Sequence, residues 1–89
     1  MSAVGTYEVV NELGLHARAA AALVQVANGF QSTIHLVRDG DEVNAKSIMG
    51  VLTLAAAKGT EVAVRCEGPD ETAALAAVGA LFENGFGEL

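Results

Sequence analysis

The segment Gly14-Leu15-His16-Ala17-Arg18 sets an imidazole just ahead of a guanidinium, after a turn residue and before an alanine-rich run. Imidazole is a competent nucleophile near neutral pH and, once protonated, a good leaving group. If the alanine-rich run is helical, His16 stands at or near its N-cap. The first amides of a helix have no internal partner, and the dipole there favours negative charge. Such an end is an anion site. The amides of Ala17 and Arg18 would hold a phosphoryl group carried on the ring, and Arg18 adds a cation that can fork onto phosphate oxygens. This arrangement suits reversible group transfer. On its own, His-x-Arg is more often the pattern of a capping histidine beside an ordinary surface arginine.

The elements that must position these residues follow from periodicity. A first strand reads Thr6-Tyr7-Glu8-Val9-Val10, with Tyr7 and Val9 on the inner face. After the Gly14 turn, a helix runs from about Ala17 to Asn28, with Ala17, Ala20, Ala21, Val24 and Ala27 on one stripe. Asn28-Gly29 ends it, Gly29 suiting the left-handed C-terminal position. Ser32 to Arg38 is a strand with Ile34 and Leu36 facing in, Asp39-Gly40 is a hairpin turn, and the return strand carries Val43 and Ala45. Ser47 reads as the N-cap of a short helix from Ile48 to about Leu54, with Lys58-Gly59 at its exit. Glu61 to Glu67 alternates as a half-buried strand, Val62, Val64 and Cys66 inward. Asp70 is placed to cap a last helix with a stripe of Ala74, Leu75, Val78, Leu81 and Phe82, ended by Asn84-Gly85. The order β-α-β-β-α-β-α predicts an α+β two-layer open-faced sandwich: helices on one face of a mainly antiparallel four-stranded sheet.

Composition narrows the function. The chain has 89 residues, enough for one domain with a single modest core. No apolar run approaches the roughly 20 residues that span a bilayer. Met1-Ser2-Ala3-Val4-Gly5 has neither a basic nor an apolar leader region, so no secretory signal is expected. The single cysteine, Cys66, fits a reducing cytoplasm and reads as an inert core thiol. A net charge of −6 argues against nucleic acid or an anionic membrane surface as partner. The few cations leave open a cluster of His16, Arg18 and Lys46. His35 points to the open sheet face, where a solvated role is expected, and Glu61, Glu67, Asp70 and Glu71 read as solvated surface. No metal-ligand spacing is present, and no GxxxxGK[ST] loop, so neither metal nor ATP is expected.

Gly14-Leu15-His16-Ala17-Arg18-Ala19-Ala20 resembles the active-site signature of HPr, the histidine-containing phosphocarrier family of the sugar phosphotransferase system. Asn44-Ala45-Lys46-Ser47-Ile48-Met49-Gly50-Val51 resembles the family's segment around its regulatory serine. The resemblance spans essentially the whole chain, 1–89, as one HPr-like domain with the same element order. It implies a cytoplasmic, stoichiometric phosphocarrier rather than an enzyme, monomeric and without cofactor. His16 would accept a phosphoryl group on Nδ1 from phosphorylated enzyme I, itself charged by phosphoenolpyruvate. The group would pass to the A domains of enzyme II permeases, with Arg18 as partner in transfer and the backbone of Ala17 and Arg18 binding the phosphoryl group. Ser47 would be the site of the HPr kinase/phosphorylase where that enzyme exists. Ile48 and Met49 would be part of an apolar docking patch beside the active centre; Ile48, Met49, Val51 and Leu52 cannot all face inward from so short a helix, and those left exposed are read as that patch rather than as a loosely packed satellite of the core.

Two departures stand out. The family usually has proline after the arginine, where this chain has Ala19, which keeps helix propensity but leaves the turn freer in the unfolded chain. Leu13 stands where many members have a small polar residue that can contact the histidine, so that contact must be absent or replaced. Asn11-Glu12-Leu13-Gly14 and Leu81-Phe82-Glu83-Asn84-Gly85-Phe86 resemble proteobacterial members, including the nitrogen-related paralogue NPr, which keeps a nitrogen-linked regulatory role as an alternative. Ser47 is equally explained as a plain helix cap. Two other classes compete: a hydrolase or transferase using His16 as acid/base, for which no orienting carboxylate is evident, and a non-catalytic interaction module with His16 idle.

Overall fold

The computed structural model describes residues 1–88. Its elements are β1 (Ala3–Glu8), α1 (Ala17–Ala27), β2 (Thr33–Arg38), β3 (Asp41–Asn44), α2 (Ile48–Leu54), β4 (Glu61–Glu67) and α3 (Glu71–Glu83), followed by a 3-10 turn at Gly85–Gly87. The strands form one sheet in the order β1-β4-β2-β3, every neighbour antiparallel. Ala3 lies opposite Cys66 and Glu8 opposite Glu61, while β2 flanks β4 on the other side with Leu36 opposite Val64. This is the expected α+β open-faced sandwich.

Alternation decides which face the helices cover. Val62, Val64 and Cys66 of β4 and Ile34 and Leu36 of β2 are fully buried, whereas Ala63, Arg65 and His35 between them are only half-buried. Helix α3 packs on β1 and β4, and α1 on α3 and α2. Phe82 is the largest fully buried side chain and stacks on Tyr7 at 5.7 Å between ring centroids. Burying a ring of that size contributes roughly 1.5–3 kcal/mol. Gly79 lets the helix come so close: a Cβ there would lie 2.5 Å from the Tyr7 hydroxyl. Burial pushes the Cys66 thiol pKa up, with Glu71 and Asp70 adding to the effect.

Several local expectations hold. Asp39 and Gly40 take φ of 50° and 84°, the left-handed pair of a tight hairpin turn. Ser47 caps α2, its Oγ accepting from the Gly50 amide at 3.1 Å. Others are corrected. Strand β1 begins three residues earlier than alternation alone suggested, because its pairing with β4 extends to Ala3 opposite Cys66. The buried stripe of α1 is Ala19, Ala20, Leu23 and Ala27, and Ala17 and Ala21 are exposed. Gly29 is not left-handed; α1 closes through Asn28 at φ −69°, with Gly29 and Phe30 amides donating to Val26 and Ala27 carbonyls. Helix α2 instead ends on Ala55 at φ 53°.

Asp70 makes no side-chain cap on α3. Its carboxylate accepts from the Gln31 and Ser32 amides, each at 2.9 Å, and from the buried Ser32 hydroxyl. Those bonds hold its pKa down at about 2 and tie the start of β2 to the start of α3. Glu71 is likewise engaged, accepting from the Gly68 amide at 3.1 Å. Neither acid is free solvated surface. His35 is half-buried, with Nδ1 enclosed and unpartnered among the described residues, so it is not solvated as expected.

Candidate functional site

The loop between β1 and α1 is shaped by a buried amide and a glycine. Asn11 is fully buried, and one amide hydrogen reaches the Gly14 carbonyl at 2.8 Å while the Gly14 amide donates to the Asn11 carbonyl at 3.2 Å. Gly14 sits at φ 67°, and a Cβ there would lie 2.5 Å from the Ala56 carbonyl oxygen. Only glycine meets both conditions without strain. The following amide, of Leu15, donates to that same Ala56 carbonyl at 2.9 Å, and the Leu15 side chain is buried. The loop is thus clamped to the segment after α2, and His16 is delivered to the start of α1.

His16 is the N-cap of α1, in extended conformation at φ −77° and ψ −178°, and its carbonyl accepts the first helical bond from Ala20 at 2.8 Å. Its Nδ1 accepts from the Arg18 amide over a long 3.4 Å. Its Nε2 lies 2.7 Å from Oε2 of Glu88. The other Glu88 oxygen accepts the second Asn11 amide hydrogen at 2.9 Å. These bonds, Asn11 first and His16 next, hold the Glu88 pKa below its ordinary value, so the carboxylate is ionised near neutrality. An ionised carboxylate only accepts; Nε2 therefore carries the hydrogen, and Nδ1 presents a lone pair to the first turn of α1. Exposed Arg18, Leu13, Glu12 and Gly87 line the open pocket with His16 and Glu88.

The structure brings His16 and Arg18 together and separates the other sequence candidates from them. Lys46 does not join the cluster: its ammonium donates to the Phe30 carbonyl at 2.7 Å, beyond the far end of α1. That contact, with the Ala56–Leu15 bond, runs α2 antiparallel to α1, so Ser47 lies at the end away from the His16 loop. The separation is about the length of α2, roughly 10 Å at 1.5 Å per residue. Ile48 and Met49 are 45% and 70% exposed and free to meet a partner. Val51 is not: it is fully buried, on the same helix face as buried Leu54 three residues on, and Leu52 is half-buried against the core. The expected patch shrinks to Ile48 and Met49.

Two residues escaped the sequence reading. Leu13 is 70% exposed at the edge of the same pocket, and the contact it cannot make with the histidine is made by Glu88. The orienting carboxylate that seemed to be missing is therefore present. Asn11 before Gly14 hinted at a loop-closing amide, but nothing local marks a glutamate seventy-two positions from His16.

The fold and site together define a histidine phosphocarrier. The family described as PTS HPr component phosphorylation site matches residues 4–84. Phosphocarrier protein HPr of Treponema pallidum is 55% identical over 85 residues, covering 96% of this chain and 97% of its own. Phosphocarrier protein NPr of Escherichia coli K12 is 44% identical and covers 99% of both. A crystal structure of HPr from Thermoanaerobacter tengcongensis superposes with a TM-score of 0.94 at 45% identity over 98% of both chains. A structure described as an HPr dimer from that organism gives 0.79 at 47% identity, over 91% of this chain and 93% of its own. The chain belongs to the HPr family and is a phosphoryl carrier of the phosphotransferase system.

Proposed function

We propose that the chain takes a phosphoryl group onto Nδ1 of His16 from phosphorylated enzyme I and passes it to enzyme II A domains. The observation that carries this reading is the direction of Nδ1, whose lone pair faces the Arg18 amide at the start of α1. A phosphoryl group bonded there would meet the amides of Ala17 and Arg18, which have no partner within the helix, and the positive end of the helix. The Arg18 guanidinium, on the pocket rim, would fork onto its oxygens. The whole chain acts as one carrier domain, a monomer in the cytoplasm, stoichiometric and without a cofactor. Its net charge of −6 favours protein partners over nucleic acid or an anionic membrane, and no helix among the described residues is long and apolar enough to cross a membrane. Ile48 and Met49 form the apolar docking surface. Higher identity to an HPr, 55%, than to an NPr, 44%, supports a role in sugar uptake over the nitrogen-linked one. Ser47 is the site for an HPr kinase/phosphorylase where one is present.

Incubation with enzyme I and phosphoenolpyruvate should add one phosphoryl mass, acid-labile and base-stable as a phosphoramidate requires. His16→Ala should remove it with the circular dichroism spectrum unchanged; label persisting on that variant would disprove the assignment. Arg18→Ala should slow loading about 10- to 100-fold, less than loss of a donor in an enclosed oxyanion site.

A further inference from the structure

We infer that Glu88 is a positioning residue for phosphoryl transfer, holding the hydrogen on Nε2 of His16 and pairing with the imidazolium that forms when Nδ1 is phosphorylated. The inference rests on His16 being the carrier.

The placement of Glu88 is built by the chain that precedes it. After α3, Gly85, Phe86 and Gly87 take φ of 64°, 57° and 78°, three left-handed residues in succession. For phenylalanine that conformation is unfavourable, and it persists because the ring is buried against Phe82 at 5.0 Å between centroids. Asn84 Oδ1 accepts from the Gly87 amide at 3.2 Å, and the Glu88 amide donates to the Gly85 carbonyl at 3.0 Å. This turn reverses the chain and lays Glu88 over the His16 loop. There the carboxylate meets two fixed partners: the buried Asn11 amide at 2.9 Å on one oxygen and His16 Nε2 at 2.7 Å on the other. Asn11 is itself pinned through the Gly14 carbonyl, so the donor that meets the carboxylate is held in place by the loop.

The chemistry follows from the hydrogen on Nε2. In loading, the Nδ1 lone pair attacks phosphorus, the Nδ1–P bond forms, and the donor's bond to phosphorus breaks with its electron pair returning to the donor. His16 becomes an N-phosphorylated imidazolium whose positive charge is shared with Nε2–H, and Glu88 pairs with it. In unloading, the Nδ1–P pair returns to the ring, which leaves as the neutral imidazole it was, with the same hydrogen on Nε2. No proton moves in either direction. A buried-facing carboxylate that orients an imidazole and pairs with its cation plays the same part beside catalytic histidines. Among the described residues the other charged groups at the pocket are Arg18 and Glu12, and Glu12 is tied to Lys58 at 2.8 Å.

The test compares wild type with Glu88→Gln and Glu88→Ala, keeping the full chain. Both variants should keep the wild-type circular dichroism spectrum. With enzyme I and phosphoenolpyruvate, initial loading should fall about 10-fold at neutral pH, as for other carboxylates that orient an imidazole. The loss should lie in kcat and not in the KM for this chain. Discharge to an acceptor A domain should fail at lower pH in the variants than in wild type, because the phosphoimidazolium loses its paired anion. Independently of any partner, two-bond 15N–1H correlations should report the Nε2–H form of His16 in wild type, with a slowly exchanging Nε2 hydrogen that both variants lose. Equal loading rates and pH profiles in all three proteins, or an Nδ1–H form in wild type, would overturn the role of Glu88. Failure of wild type to load at all would instead overturn the carrier reading, and the 15N arm would still decide the Glu88 contact.

Discussion

At the start of α1 the capping side chain is His16; at the start of α2 it is Ser47. Ser47 caps by local geometry alone, its Oγ taking the Gly50 amide at 3.1 Å within one turn. His16 caps weakly, over 3.4 Å to the Arg18 amide, and its stronger bond runs to Glu88. The Ser47 cap spends its oxygen on the helix. The His16 cap leaves the first amides of α1 underused and has its ring held from elsewhere in the chain. A cap satisfied within its own turn is architecture, whereas a cap gripped from a distance, with open amides beside it, is a place for an anion. The start of α3 extends the contrast, since Asp70 has the right residue type and serves other amides.

The comparison breaks most severely if the loop before α1 is disturbed. Gly14→Ala puts a Cβ at φ 67° and 2.5 Å from the Ala56 carbonyl. A non-glycine residue in that region alone costs of order 1–3 kcal/mol, and the overlap adds to it. Thermal melting should show a clear loss of stability, and the folded fraction should load slowly because His16 is displaced. Wild-type melting and loading would mean that the clamp does not position the ring.

The comparison sharpens at Ser47. Ser47→Ala should cost about 1 kcal/mol in denaturant unfolding, with phosphoryl loading on His16 unchanged. Ser47→Asp should keep a near-native circular dichroism spectrum, because negative charge at a helix N-terminus is locally favourable. It should nonetheless slow loading at equal enzyme I, since a hydrated charge beside exposed Ile48 and Met49 must be desolvated when an apolar partner approaches. Equal rates for Ser47→Asp and wild type would leave Ser47 a helix cap and nothing more.

The smallest effect is expected at Asp70. Its folded pKa, about 2, lies below the ordinary aspartate value near 4, so the native state favours the ionised form. The stability it contributes is full above about pH 4 and is lost as pH falls through about 2. Asp70→Asn should therefore flatten the fall of stability between about pH 4 and pH 2 and leave phosphoryl loading at neutral pH untouched. Acid unfolding curves of the two proteins that run parallel through that window would show that the clip to Ser32 carries no linkage.

Much of this was legible in one dimension, and the exceptions share a cause. The bounds of α2 and β4, the left-handed Asp39-Gly40 turn and the Ser47 cap all rest on neighbours within a few residues, and each appears where local rules put it. The stripe of α1 was rotated because alanine marks no face: Ala17, Ala19, Ala20 and Ala21 are alike in hydrophobicity, and only packing against α2 and α3 chose Ala19, Ala20 and Leu23. Val51 read as docking surface because a two-turn apolar helix does not say which side meets the core. Asp70 read as a cap because the amides of Gln31 and Ser32, which outcompete its own helix, are some forty positions away.

By itself the sequence determined the order of the elements, the proposed nucleophile, and the helix start that would receive an anion, since His16, Ala17 and Arg18 are adjacent and obey the short-range geometry of a helix N-terminus. Only the tertiary structure decided which nitrogen of that histidine is free. The answer depends on a carboxylate seventy-two positions later, returned to the loop by a left-handed turn whose phenylalanine is held in place by the core. Hydrogen-bond directions between parts of the chain that distant are set by packing, and no periodicity or spacing encodes them.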